Sequence, residues 1–432
     1  MSNSRLSYFI DNFELAYSCK LDWNELNIGY DDSCQIILAK PEIDNPLEDA
    51  DSIVWKNWKG TVIPFIMNKK DEESIYSQTS DNKITINFDI VSSACYLMSG
   101  RQEIETKNRD QYGRFKFEES IQKKLNIVGV PVVNYYFEIL KEAIEIITKS
   151  KIKSKRNFSA TITHDIDEVT SGWKHRVRTE LNNKSYLKAI SHGLSQPTKP
   201  FLPWKNLKEL SGFNSENNVP TTFFLLARNN KVDNIKNADY SLSSPYIKES
   251  ISEIKKNGHE VGAHGSYKTH ESNEELQKDI KSFKDKVKGN RFHFLQYSIQ
   301  ESSEVIESNG LKFDSTLGFQ EEIGFRNSIC TPFKLYNFKE NRSFDFIEIP
   351  LNIMDCSLEY THYMSLSPTE SLEAIKKLSK EIKKFNGNIC INWHNTYFSD
   401  YLKSDWKTLY KEIIGFLKEE NCEFNTCSQL IK

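Results

Sequence analysis

The 432-residue sequence contains no CxxC pair, its eight cysteines (19, 34, 95, 330, 356, 390, 422 and 427) being scattered. That removes the usual sequence signatures of a zinc ribbon or a dithiol redox centre. Most lie in apolar runs such as NICIN (388–392) and read as buried free thiols. Neither charge is in excess. The 57 Lys and Arg nearly cancel the 60 Asp and Glu, leaving −3, so nothing in the global balance points to a nucleic-acid partner. No apolar run approaches the ~18 residues of a membrane span. With 17 glycines and 12 prolines the chain is neither collagenous nor of low complexity. Its first residues, MSNSRLSYFIDNFELAY, lack a basic stretch followed by an apolar segment and a small-residue cleavage site, so the expectation is no signal peptide and a cytoplasmic location.

What is present is core-forming: 38% of residues are apolar and 12% aromatic, which excludes wholesale disorder. Composition shifts near residue 150. Before it, the β-rich runs CQIILA, DSIVW, TVIPFIM and KITINFD precede the helical ESIQKKL. Beyond Pro131, Tyr136, Ile139, Leu140, Ala143, Ile144 and Ile147 recur at helical spacing. These residues predict a smaller α+β accessory domain over 1–150, with binding or scaffolding as its default role. KSKIKSKRN (149–157) carries five basic residues in eight positions. Nothing aromatic interleaves with them, so 151–157 reads as a basic linker and not a nucleic-acid patch.

From Phe158 onward strands and helices alternate. FSATITHD, TTFFLLA, HEVGAHG, RFHFLQY, KFDSTLG, FIEIPLNIMD, NICINWH and CEFNTC read as strands. SPYIKESISEIKKNG, NEELQKDIKSFKDKVKG and PTESLEAIKKLSKEIKKFNG read as helices, the first and last C-capped by Gly258 and Gly387. This order predicts an α/β fold with a parallel sheet, a closed or distorted (β/α) barrel over 158–432. All nine histidines fall in this half, which locates the chemistry there.

In such a barrel the working residues gather at the C-terminal strand ends. The first predicted strand closes on Thr-His-Asp-Ile-Asp (163–167), and alternation puts Asp165 and Asp167 on one side. Two carboxylates on one face call for a cation or a shared proton, although Asp167 would also serve as a helix N-cap. The third strand brings His259, His264 and His270; the last two converge only if Gly265–Thr269 turns. One carboxylate with two imidazoles is a catalytic divalent-metal set of the zinc type. Near the end, His394 in Trp393-His394-Asn395 follows an apolar strand, where it is placed to act as acid or base or to sit satisfied in the core. Asp355, closing the sixth strand, orients that imidazole or forms a structural ion pair.

In this order the three motifs resemble the polysaccharide deacetylase family, the NodB-homology domain of carbohydrate esterase family 4. Thr163–Asp167, Gly258–His264 and Trp393–His394 carry the likeness. It is closest to a bacterial subgroup with an extra N-terminal domain, on residues 89–140, 313–338 and 347–358. The resemblance implies a distorted barrel of NodB-homology type behind the smaller α+β domain. The implied activity is metal-dependent hydrolysis of N-acetyl groups on amino sugars of a polysaccharide or its precursor. Asp165 would be the base, with Arg291 positioning it. His394 would protonate the leaving amine, supported by Asp355. Asp167 and His264 would hold the metal, zinc being expected, while Arg326 and Trp393 would contact the N-acetylated carbohydrate. One departure stands out. The family's second metal histidine comes four residues after the first, and here position 268 is lysine. His270 is then the expected third ligand; a water or another residue such as His293 is the second option, and loss of the metal the third. That last option carries the alternative function, a non-catalytic or metal-independent carbohydrate-binding or scaffold protein that retains the barrel.

Overall fold

A computed structural model describes residues 2–23, 26–80, 82–196 and 200–432. The C-terminal half is built on one parallel sheet. Its strands are β1 (Ser159–Ile166), β2 (Thr221–Leu226), β3 (Glu260–Gly265), β4 (Gly289–Phe292), β5 (Phe313–Asp314), β6 (Ile347–Glu348), β7 (Ile353–Met354), β8 (Asn388–Asn392) and β9 (Glu423–Phe424). They lie in the order β6-β5-β4-β3-β2-β1-β8-β7, with β9 beside the start of β1. All eight residues of β1 and all six of β2 are buried. Strands covered on both faces need no polar alternation, which is why SATITHDI and TTFFLL read as continuous β-branched and aromatic runs.

The sheet stays open between β6 and β7, and the chain itself spans the gap. Ile349 N donates to Asp314 O and Leu351 N to Leu317 O on one side, while Asn352 N donates to Cys390 O on the other. FIEIPLNIMD, expected as one strand, is therefore two short ones at opposite edges. Pro350 between them has no N–H to contribute to a ladder. The result is a distorted barrel of NodB-homology type behind a separate N-terminal domain, as the strand–helix alternation predicts.

Two further expectations change. The helix Pro368–Lys383 starts at a reciprocal capping box between Ser367 and Glu370 but stops before Gly387. That glycine instead permits a close approach, since a Cβ there would lie 2.7 Å from Cys330 Sγ. Gly258, at φ +82° after the helix Pro245–Lys256, does take the left-handed position expected of it. RFHFLQY is strand only to Phe292. Phe294 and Leu295 adopt φ of 60° and 54°, and this tight turn carries His293 away from the sheet.

In the N-terminal part, a four-stranded sheet (Ile28–Gly29, Ile36–Leu38, Lys83–Ile86, Tyr76–Ser80) and a hairpin (Val54–Trp58 with Thr61–Phe65) pack on helices Ser2–Tyr17, Ile90–Met98 and Val132–Thr148. The last buries Tyr136, Ile139, Leu140, Ala143, Ile144 and Ile147, the stripe that its periodicity announces. One apolar cluster runs from these helices into the barrel half, joining Tyr8, Phe13 and Phe137 with Ile299, Phe333 and Phe346. Polar contacts reinforce it. Arg326 forms a two-pronged ion pair with Glu103 (2.8 and 2.6 Å), and Gln122 Nε2 donates to Arg326 O. Arg114 donates to Phe294 O across the same junction. The basic segment after residue 149 is pinned along this side, Lys155 N donating to Tyr17 O and Arg156 Nε to Leu15 O.

Candidate active site

A cleft of about 320 Å³ opens at the C-terminal ends of the strands, at the small end of ligand pockets. Asp165, Asp167, Glu168, His264, His293 and His394 line it. Asp165, next to last in β1, is buried and held on both oxygens: Arg291 Nη1 donates to one at 3.0 Å and Asn392 Nδ2 to the other at 2.8 Å. Arg291 is wholly buried and anchored in turn by Ser315 O, Ser315 Oγ and Thr163 Oγ1. Burial alone would raise the Asp165 pKa. The Arg291 guanidinium, then His264 and His394, reverse this and hold the carboxyl below its ordinary value.

Asp167 stands one residue beyond β1. Its Oδ1 is buried and makes no hydrogen bond. His264 Nε2 lies 3.4 Å from it and His293 Nδ1 3.6 Å, and the two imidazoles are 3.2 Å apart. His264 Nδ1 faces Arg291 O at 2.7 Å. That carbonyl accepts the ring proton and leaves the Nε2 lone pair directed at the group. Burial pushes the His293 pKa down to about 4 against the pull of Asp167, so the imidazole is neutral near pH 7. Asp167 is held well below the usual carboxylate range, the effect of burial being overcome by His293, His264 and His394.

These three residues bring ligand atoms within 4.8 Å of one another. An orphaned buried carboxylate oxygen facing two imidazole nitrogens suits a divalent cation in a three-ligand catalytic set. His270 is not part of it, contrary to expectation. The turn at Ser266–Thr269, closed by Thr269 N to Ser266 O with Lys268 at φ 66°, directs the chain away from the cleft. The His270 ring packs against Phe292, with Glu271 at 3.5 Å. Lys268 also turns outward, pairing with Asp233. The second imidazole of the group comes from His293, one residue beyond β4.

Across the cleft, His394 Nδ1 contacts Asp355 Oδ1 at 2.7 Å and its backbone N–H reaches Asp355 Oδ2 at 2.6 Å. Its Nε2 faces the cleft, 3.7 Å from Asp167 Oδ2. Burial would lower its pKa, but the Asp355 carboxylate, with Asp167 and Asp165, lifts it to about 10. The ring is therefore protonated at neutral pH.

Arg326 and Trp393, expected at the substrate, are elsewhere. Arg326 is buried against Glu103 and Gly318 O. Trp393 is fully buried among Tyr397, Trp406 and Tyr410, because it follows an inward-facing strand end and its bulk completes the core. Asn392, which binds Asp165 from β8, was not anticipated; its only signal is the polar residue inside NICINWHN. Tyr360, 41% exposed, and Lys236 also line the cleft.

A parallel distorted barrel with carboxylates and imidazoles converging at its strand ends is a fold of the NodB-homology type. Residues 205–298 match the polysaccharide deacetylase family and residues 8–149 match DUF7033, a family of unknown function. The barrel half is thus similar, over residues 205–298, to the polysaccharide deacetylases, a family of amide-bond hydrolases, and the separately matched domain lies ahead of it. Among curated proteins, none matches it. Three of the solved structures similar to it follow. One is a Mycobacterium smegmatis protein assigned to the polysaccharide deacetylases (16% identity, 64% of this chain and 90% of that chain, TM-score 0.40). Another is a family 4 pseudoenzyme from Bacillus anthracis (12%, 64% and 66%, TM-score 0.33). The third is the catalytic domain of a peptidoglycan N-acetylglucosamine deacetylase from Eubacterium rectale (10%, 63% and 89%, TM-score 0.33).

Proposed function

We propose that this protein removes N-acetyl groups from amino sugars of a polysaccharide or its precursor, with a divalent metal, zinc by preference, as cofactor. The observation that carries the reading is the placement of Asp165 and His394 around the Asp167–His264–His293 group. Asp167, His264 and His293 would hold the metal, whose chemistry there is to polarise the amide carbonyl and lower the pKa of water. Two imidazoles in the set favour zinc over a hard, oxygen-seeking cation.

Asp165 accepts the proton of the attacking water. The Arg291 and Asn392 hydrogen bonds fix its carboxylate and keep it ionised, so the base needs no reorganisation. His394 Nε2 gives its proton to the amine as the C–N bond breaks, since expulsion of an unprotonated amine is unfavourable near neutrality. Asp355 fixes the ring through Nδ1, so Nε2 is the nitrogen that faces the substrate. Residues 1–150 serve as the accessory domain, joined through 151–157 to the barrel of 158–432.

The test is acetate release from N-acetylated glucosamine oligomers by chelator-stripped protein, before and after zinc is returned. Release restored by zinc, and lost in Asp165→Asn with zinc binding intact, is the expected result. A protein that takes up zinc yet releases no acetate from such oligomers overturns the reading.

A further inference from the structure

Two helices, Gly172–Asn182 and Tyr186–Ser195, form a hairpin inserted between β1 and β2. Their polarity is inverted. A helix on a water-soluble protein normally turns its apolar face inward, yet here Leu187 is 84% exposed, Leu194 77%, Tyr186 60% and Ile190 57%. Leu187, Ile190 and Leu194 fall at i, i+3 and i+7 and share one face, and the small Ala189 is the buried residue of that helix. Leu181 adds a further exposed apolar side chain from the first helix.

Charge on the hairpin is equally out of step with the chain. Lys174, Arg176, Arg178, Lys184 and Lys188 stand against Glu180 alone, in a protein whose net charge is −3. Among the described residues none of these five cations makes an ion pair; Arg176 packs over the Phe201 ring and Lys174 lies near Trp173. Exposed leucines flanked by unpaired cations and a tryptophan are what an interfacial helix presents to a bilayer. No described helix is long and apolar enough to cross a membrane, so the contact is with the surface.

The root of the hairpin belongs to the cleft. The backbone N–H groups of Val169, Thr170 and Ser171 all donate to the Asp239 carboxylate (2.5–2.7 Å), and Asp239 N donates to Asp167 O. His175 packs on Trp204, whose carbonyl accepts from the cleft residue Asn395. We infer that the 172–195 hairpin docks the protein on an anionic lipid bilayer, bringing the mouth of the cleft to saccharides carried at that surface. The docking stands by itself; the saccharide rests on the deacetylase reading. A second copy of the chain fits the face less well, because a two-fold contact would oppose the same five cations to one another. Nucleic acid would leave the aliphatic face without a partner.

Sedimentation of the full chain with phosphatidylcholine vesicles, with or without phosphatidylglycerol, tests this. Binding should require phosphatidylglycerol, weaken with salt, and fall at least about tenfold in Leu187→Ser/Leu194→Ser and in Lys184→Glu/Lys188→Glu. These side chains are solvent-exposed and outside the catalytic machinery, so acetate release from soluble oligomers should stay at the wild-type rate. Absence of binding to anionic vesicles overturns the inference. So does binding that the variants leave unchanged, a dimer that the serine variant dissolves, or binding to duplex DNA in place of vesicles. Vesicle binding by a protein that releases no acetate would sustain the docking and remove the deacetylase reading.

Discussion

Two ionic clusters in this molecule are put to opposite uses. Where the N-terminal part meets the barrel, Arg326 and Glu103 are each only 2% exposed at the side chain. Both Glu103 oxygens accept from the guanidinium, whose remaining reach goes to Gly318 O. At the strand ends, Asp165 is as well buried, but its neighbour Asp167 keeps an oxygen without any donor, facing two imidazole nitrogens. The first cluster is saturated and joins two halves of the chain. The second has an unused valence pointing into a cleft. Burial of charge does not by itself mark a site; an unspent bonding capacity beside a cavity does.

The sharpest way to separate the two is to change one member of each. Asp165→Asn is expected to lower kcat/KM for deacetylation by about 10²–10⁴-fold per folded molecule, with some loss of stability as well because the buried Arg291 loses its counter-charge. Unchanged turnover would remove Asp165 as the base. Glu103→Ala should spare turnover. It strands a buried guanidinium, at a cost of about 3–5 kcal/mol in unfolding free energy, and leaves acetate release per folded molecule close to normal. A denaturant midpoint equal to wild type would show that the pair is not what fastens the halves.

A smaller effect distinguishes the histidines. His293→Ala should weaken zinc binding by more than the about 10–100-fold typical of losing an outer-shell partner, and His270→Ala should leave it unchanged. Calorimetric titration with zinc decides this, and equal losses would return His270 to the ligand set. A further change concerns pH. The folded-state pKa of His394, about 10, lies above its ordinary value of about 6.5. The stability its proton supplies is complete below about pH 6.5 and is lost as pH rises through about 10. Asp355 is the chief source of that elevation, so Asp355→Asn should flatten the alkaline decline. Thermal melts at about pH 6 and about pH 9 measure it, and parallel declines in both proteins would contradict it.

Much of the barrel could be read ahead because its strands are covered on both faces, and continuous β-branched runs broken by amphipathic helices have few other solutions. Of the candidate site, Asp165, Asp167, His264 and His394 are legible as polar residues closing apolar strands. His293 is less so. RFHFLQY looks like uninterrupted strand, and nothing in its composition announces that Phe294 and Leu295 will take left-handed conformations and bring the imidazole into the cleft. Arg326 and Trp393 were misjudged for another reason. Whether an arginine meets substrate or a partner such as Glu103, 223 positions earlier, depends on a junction that local pattern does not encode. The hairpin escaped notice because its apolar spacing is that of an ordinary helix; only its exposure sets it apart.

The first helix, Ser2–Tyr17, takes part of its packing from Phe137, against Phe9 and Phe13. Another part comes from far later in the chain: the Tyr8 ring lies tilted against Tyr336, and Asn12 accepts from Lys334 N, 322 positions on. At about 5–20 residues per second of synthesis, about 16–64 s separate the emergence of Asn12 from that of its partner. Throughout that interval one side of the helix has nothing to rest on. That side of the helix is therefore covered only after residues 334–336 have been made, and the nascent chain must be kept from aggregating until then.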